Sequence, residues 1–283
     1  MKTIRLLYPD HVSGGLDTYY FGADLLQYIL PQNPNQPVVK VDIIPPNSKE
    51  KAVTNGIYAE KEVLLGIRDA QERFPKKIRI ESSPSEVTVW YLLHIDYLHG
   101  KYKKVGIIWI DAHPDVSTLN DGYPNAHAMV LGSLLGHGAA QLTREIKNSL
   151  FKPDEIFYIG LQPLHDYQEK YLDDMGVKYK VQDKTFVTSS EINDFIGRFD
   201  HILIHFDIDV LDEHFFHSTY FANSELVGDG AGGGKMTIEK LSEDTAFNYK
   251  KIRMLLVLTI AEYLPFDEHR LHKMFAEINL FIG

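Results

Sequence analysis

Short, mainly apolar runs alternate along this chain with longer segments in which apolar residues recur three and four positions apart. Seven of the runs are rich in Ile, Val and aromatic residues: Ile4 to Tyr8, Val38 to Ile44, Ile78 to Glu81, Val105 to Asp111, Glu155 to Gly160, His201 to Asp209 and Ile252 to Ile260. Their length and branching predict buried strands. Between them, Glu50 to Arg73, Glu86 to His99, Met236 to Tyr249 and Phe266 to Phe281 carry a helical period. Strands alternating with helices predict an α/β fold of three αβα layers, with helices on both faces of a mostly parallel central sheet. No internal repeat and no linker interrupts the pattern, and Gly228 to Gly234 reads as a flexible loop. The expectation is a single domain over residues 1–283.

Composition narrows the function classes. The 29 basic and 39 acidic residues leave a formal charge of -10, which opposes nonspecific attraction to nucleic acid or to an anionic membrane surface. A small-molecule substrate is the expected partner. The chain has no cysteine, so disulfides and thiolate metal sites are excluded, and metal chemistry must rest on His and carboxylate ligands. The start of the chain has no secretory apolar core, and the longest apolar stretches are too short to span a bilayer. A cytoplasmic protein is expected.

In open parallel sheets, ligands bind beyond the carboxyl ends of the strands. Two strand ends here are acidic. In IIWIDAHPD, Asp111, His113 and Asp115 follow an apolar run, and in HILIHFDIDVLD, Asp207 and Asp209 do the same. If the two ends lie side by side, several carboxylates and an imidazole meet. Each pair of like charges would repel by about 4 kcal/mol at about 4 Å and an effective dielectric of about 20. A divalent cation is the natural neutraliser. Any one of these aspartates could simply cap a helix, but two strand ends with the same two-residue spacing point to a shared site.

DAHPD and HFDID resemble the Asp-x-His-x-Asp and Ser-Phe-Asp-x-Asp signatures of the arginase, agmatinase and formiminoglutamase family of ureohydrolases. The resemblance runs over most of the chain: GGLDTYYFGADLL is similar to the family's first loop and helix. It implies an arginase-like fold, one or two manganese ions per chain, and a homo-oligomer, trimer or hexamer. By resemblance, Asp111, Asp115 and Asp207 belong to the more exposed metal, whereas His113 and Asp209 belong to the second, with Asp111 and Asp207 bridging. In YPNAHAM, Asn125 is assigned to the substrate and His127 to proton transfer. In LTIAEYLP, Glu262, before Pro265, is assigned to catalysis and to a cationic guanidino or amidino substrate.

The pattern also departs from the family. Its Gly-Gly-Asp-His-Ser motif aligns with Glu81-Ser82-Ser83-Pro84-Ser85, so Pro84 stands where a metal-binding His is expected and offers no donor. The first metal site is therefore expected to be weakened unless a water, Glu81 or another His replaces that ligand. His205, on the same side of its strand as Asp207, is read as a packed or hydrogen-bonded histidine, with ligation the alternative. His214 and His217 receive no role. GLQPLHDYQE lacks the family's Arg-Asp-x-Asp, which disfavours arginine itself as substrate. The leading expectation is hydrolysis of a guanidino or amidino carbon-nitrogen bond by a metal-activated water. Amide hydrolysis at one metal, as in deacetylases of the same fold, and a non-catalytic binding module remain the alternatives.

Overall fold

The computed structural model describes residues 3–47, 51–73, 79–84, 91–182, 185–226, 232–244, 252 and 255–268. At residues 3, 71–73, 79–84, 91, 243 and 244 it describes the backbone alone. The strands are β1 (Thr3–Leu7), β2 (Val38–Lys40), β3 (Val53–Thr54), β4 (Ile57–Tyr58), β5 (Arg79–Pro84), β6 (Val105–Ile110), β7 (Ile156–Ile159), β8 (His201–Asp207) and β9 (Leu255–Ala261). The helices are α1 (Thr18–Ile29), α2 (Glu60–Arg73), α3 (Tyr91–Lys101), α4 (Val130–Leu134), α5 (Ala140–Thr143), α6 (Asp166–Met175), α7 (Ser189–Gly197) and α8 (Ile238–Asp244). Among these residues, no helix is long and apolar enough to cross a membrane.

All seven apolar runs become strands of one sheet, in the order β2-β1-β5-β9-β8-β6-β7, and every pairing in it is parallel. Successive side chains of a strand face opposite sides, and the two cores follow that rule. Val105, Ile107 and Trp109 of β6 join the cluster roofed by α2, α3 and α4, whereas Ile108 and Ile110 join the cluster roofed by α7 and α8. Burial on both faces explains why these strands read as continuous apolar runs. At about 1.5–3 kcal/mol for each fully buried Leu or Ile, the two layers supply the main drive for folding.

One expected element is replaced. The helix expected from Glu50 to Arg73 begins only at Glu60. Before it, β3 and β4 form an antiparallel hairpin with Val53 opposite Tyr58 and Thr54 opposite Ile57. Asn55 (φ 49°) and Gly56 (φ 85°) make the turn. Two consecutive positive φ angles match the twist of a two-residue hairpin, and the Asn-Gly pair that favours them outweighs the helical period around it. Strand β2 is also shorter than its apolar run, ending at Lys40 ahead of Pro45 and Pro46. Residues 245–249 of the helix expected at Met236 to Tyr249 and residues 269–281 of that expected at Phe266 to Phe281 lie outside the described residues, as do residues 228–231 of the glycine-rich loop and residues 85–90.

Candidate metal centre

Strands β6 and β8 are neighbours with Ile110 opposite Phe206, so Asp111 and Asp207 leave the sheet side by side. On the far side of β8, Asp207 pairs with Ala261, which places Glu262 at the same edge. Both acidic motifs then turn in the same way. Asp111 Oδ1 accepts the His113 N–H at 2.6 Å, and Asp207 Oδ1 accepts the Asp209 N–H at 3.0 Å. An aspartate that accepts the N–H two residues on folds the chain into a tight turn. The shared two-residue spacing thus has a backbone cause. Asp209 Oδ1 accepts the Ala112 N–H at 3.2 Å and fastens the two turns together.

The donor atoms converge. His113 Nδ1 lies 2.9 Å from Asp209 Oδ2 and 3.6 Å from Asp111 Oδ1. Asp111 Oδ2 faces the other way, accepting the Trp109 Nε1–H at 2.9 Å and lying 3.9 Å from His205 Nε2. His205 Nε2 is also 3.9 Å from Asp207 Oδ2. Three groups, Asp111 with His113 and Asp209, Asp111 with His205 and Asp207, and Asp207 with Asp209 and Glu262, each have ligand atoms within 4.8 Å of one another. Asp115 lines the same cleft but belongs to none of these groups. Asp115 (φ 51°) and Glu262 (φ 61°) are both buried in the left-handed region. Strain of that kind, of order 1–3 kcal/mol, persists where the surroundings hold it, often at functional sites.

His127 follows Asn125 on the one-turn 3₁₀ segment Ala126–Met129. Its Nδ1–H donates to the Ser13 carbonyl at 3.1 Å, which leaves Nε2 toward the Tyr123 hydroxyl at 3.5 Å and Glu262 Oε1 at 3.9 Å. Ser13 is itself held by Asp10, which accepts from the Val12 and Ser13 N–H groups and the Ser13 hydroxyl. Tyr19 of α1 hydrogen-bonds Glu262. Asn125 packs beside Gly15, whose added Cβ would meet Asn125 Oδ1 at 3.5 Å, and does not line the cleft. Pro84 ends β5, paired with Ile260 of β9; its ring and the Glu81 side chain fall outside the described side chains. His214 is exposed and bonded to Asp212, away from the cleft lining.

The cleft over these groups has a volume of about 420 Å³. Asp111, His113, Asp115, His127, Asp207, Asp209 and Glu262 all line it, and Tyr123, Tyr167, Tyr220 and Phe221 give it an aromatic wall. The segment without the Arg-Asp-x-Asp sequence contributes His165, Tyr167 and Gln168 to the lining. Thr259, Tyr19 and Ser13 orient the site but carry no local sequence signal, because each meets its partner across strands or loops; Trp109 bonds Asp111 two residues on and meets His205 only across strands.

Burial, reinforced by neighbouring carboxylates, pushes the carboxyls of Asp111, Asp115, Asp207 and Glu262 well up. Asp209 goes the other way: burial would raise it, but the charge and hydrogen bond of His113 and the Ala112 N–H together hold it down. His113 is raised to about 9, because the charge and hydrogen bond of Asp209 outweigh burial. His205 is lowered to about 3 by burial. The donor set, carboxylate oxygens and imidazole nitrogens without sulfur, fits a hard or borderline divalent ion such as manganese. Opposed donors on one ion can be about 4.2 Å apart when each bond is about 2.1 Å, and the measured separations fall within that reach.

The chain is similar to known proteins in sequence and in fold. Residues 92–223 match the sequence model of the arginase family. An arginase from Bacillus subtilis is 31% identical over 160 residues, covering 53% of this chain and 54% of that protein. An arginase from Entamoeba histolytica is 31% identical over 126 residues, covering 41% of each. These alignments take in only about half, or less, of each relative. The native arginase structure from Bacillus caldovelox superposes with a TM-score of 0.69 over 94% of this chain and 92% of that one, at 17% identity, a likeness of fold.

Proposed function

We propose, from the match of residues 92–223 to the arginase family model and the likeness to the Bacillus subtilis arginase, that this chain is an arginase-family protein and a manganese-dependent hydrolase of a guanidino or amidino carbon-nitrogen bond. The observation that carries the reading is the meeting of both acidic strand ends with His113, His127 and Glu262 in one cleft. Asp111, His113, Asp207 and Asp209 would hold manganese, with Asp115 behind them as a further carboxylate. Bound there, the ion would lower the pKa of a water and so supply a nucleophile at neutral pH.

The remaining work falls to the chain's own groups. Glu262, held by Tyr19 and facing His127 at 3.9 Å, pairs with the cationic end of the substrate. His127 Nε2 is the atom that moves a proton, since its Nδ1–H is committed to the Ser13 carbonyl. Water adds to the carbon and gives up a proton to His127 Nε2, the carbon-nitrogen bond breaks, and His127 passes that proton to the departing nitrogen. Tyr123, Tyr220 and Phe221 exclude water and offer ring faces to a cation. Without the Arg-Asp-x-Asp sequence, the cleft fits an agmatine-like or formimino substrate better than arginine. The test is a panel of guanidino compounds and formiminoglutamate, assayed with added manganese for urea, formamide or amine. Folded, manganese-loaded protein that releases none of these overturns the proposal.

A further inference from the structure

We propose that His205 is a metal ligand, supplying from inside β8 the imidazole that β5 lacks at Pro84. The inference rests on the manganese reading above and concerns which strand completes the surroundings of the first ion, the one that Pro84 leaves short of a ligand. Asp111 presents its two oxygens to two different imidazoles: Oδ1 lies 3.6 Å from His113 Nδ1, and Oδ2 lies 3.9 Å from His205 Nε2. Asp207 Oδ2 is 3.9 Å from the same His205 nitrogen. A carboxylate between two imidazoles is the arrangement that lets one aspartate serve two ions. The donor group of Asp111, His205 and Asp207 is as compact as that of Asp111, His113 and Asp209.

The imidazole is held for this use. His205 stands between Trp109 on β6 and Thr259 on β9, in register with both. Its Nδ1 is 2.8 Å from Thr259 Oγ1, and its ring packs on Trp109 with centroids 4.0 Å apart. A ligating histidine ordinarily has its other nitrogen fixed by a hydrogen bond, which sets the tautomer and aims the lone pair. Here that bond points Nε2 at the two carboxylates. Trp109 steadies both partners, since its Nε1–H donates to Asp111 Oδ2. Histidine two residues before Asp207 lies on the same side of the strand as that aspartate. A strand position below the sheet edge can therefore reach the ion that a residue at the end of β5 would otherwise have to meet. Proline at that end has no ligand atom.

The test counts ions and needs no substrate. Metal-free protein is titrated with manganese alone, and bound metal is measured after gel filtration. Wild type is expected to hold about two ions per chain, and His205→Phe, which keeps a buried ring beside Trp109, about one, with affinity for the lost ion down at least about 100-fold. Equal counts and affinities in wild type and His205→Phe overturn this inference and leave the manganese reading standing. No bound ion in either overturns both. Because His205→Phe could misfold, a second measurement leaves His205 in place. In His113→Ala, the retained manganese should show electron spin-echo modulation from a directly bound imidazole nitrogen, and that modulation should survive His127→Asn. Its absence overturns the assignment.

Discussion

Two imidazoles flank Asp111, and they are opposites. His113 comes from a loop beyond β6, its side chain is 26% exposed, and Asp209 at 2.9 Å raises it to about 9. His205 sits within β8, fully buried, and burial lowers it to about 3. One residue type thus provides a cation and a neutral donor on two sides of one carboxylate. The lesson is that the partner and the depth set the chemistry. In the metal-free protein, His113 acts as the resident counter-charge to Asp209, whereas His205 presents a lone pair.

The largest test of this contrast removes Asp209. Asp209→Ala should lower metal affinity and hydrolysis together, by more than about 100-fold, beyond the range usual for outer-shell changes. In metal-free protein it should also bring the His113 titration down from about 9, as read by NMR. A His113 that still titrated there would show that Asp209 is not the cause. Next, Glu262→Ala should leave the count of bound metal unchanged and reduce kcat/KM by about 100-fold. Unaltered kcat and KM would remove Glu262 from substrate recognition. A smaller effect is expected on the buried side. Thr259→Val should weaken manganese binding about 10-fold with KM nearly constant, because it frees the His205 ring without touching the cleft.

The smallest effect is a pair of opposite pH slopes in metal-free protein. The folded pKa of His113 lies above the ordinary 6.5, so its stabilisation is fully present below about 6.5 and lost as pH rises through about 9. That of His205 lies below 6.5, so the unfolded chain takes up protons first, and stability is lost as pH falls from about 6.5 toward 3. Thermal melts should show His113→Asn flattening only the alkaline limb, by a few degrees, about 2–4 °C. A variant with an unchanged alkaline limb would contradict the ion pair as its source.

The sequence exposes these two histidines unequally. His113 lies between two aspartates just past an apolar run, and the alternation is visible by eye. His205 is embedded in HILIHFD, where a buried strand residue reads as packing. Only the register that sets it between Trp109 and Thr259 reveals which atoms it faces. The seven strands were legible for the same reason that His205 was not: burial on both faces writes long apolar runs and hides the exception within them. The hairpin at Asn55-Gly56 was obscured differently, by a helical period that continues through it, although the turn pair itself is a local signal. Of the centre, Asp111, Asp207 and Asp209 were readable because the turn that binds them needs fixed spacing. Tyr19 and Ser13 were not, since they arrive from the first loop and helix.

The strand order bears on how the chain is made. β9 lies between β5 and β8, so among the described residues the β2-β1-β5 and β8-β6-β7 portions of the sheet are joined through it. During synthesis, each portion can pair internally while its inner edge waits, with unpaired N–H and C=O groups, until residues near 255–261 leave the ribosome. The closing strand carries Thr259 and leads straight into Glu262. The two halves of the sheet are therefore sealed by the segment that also completes the cleft, and a nascent chain stalled before it would present two open edges to other chains.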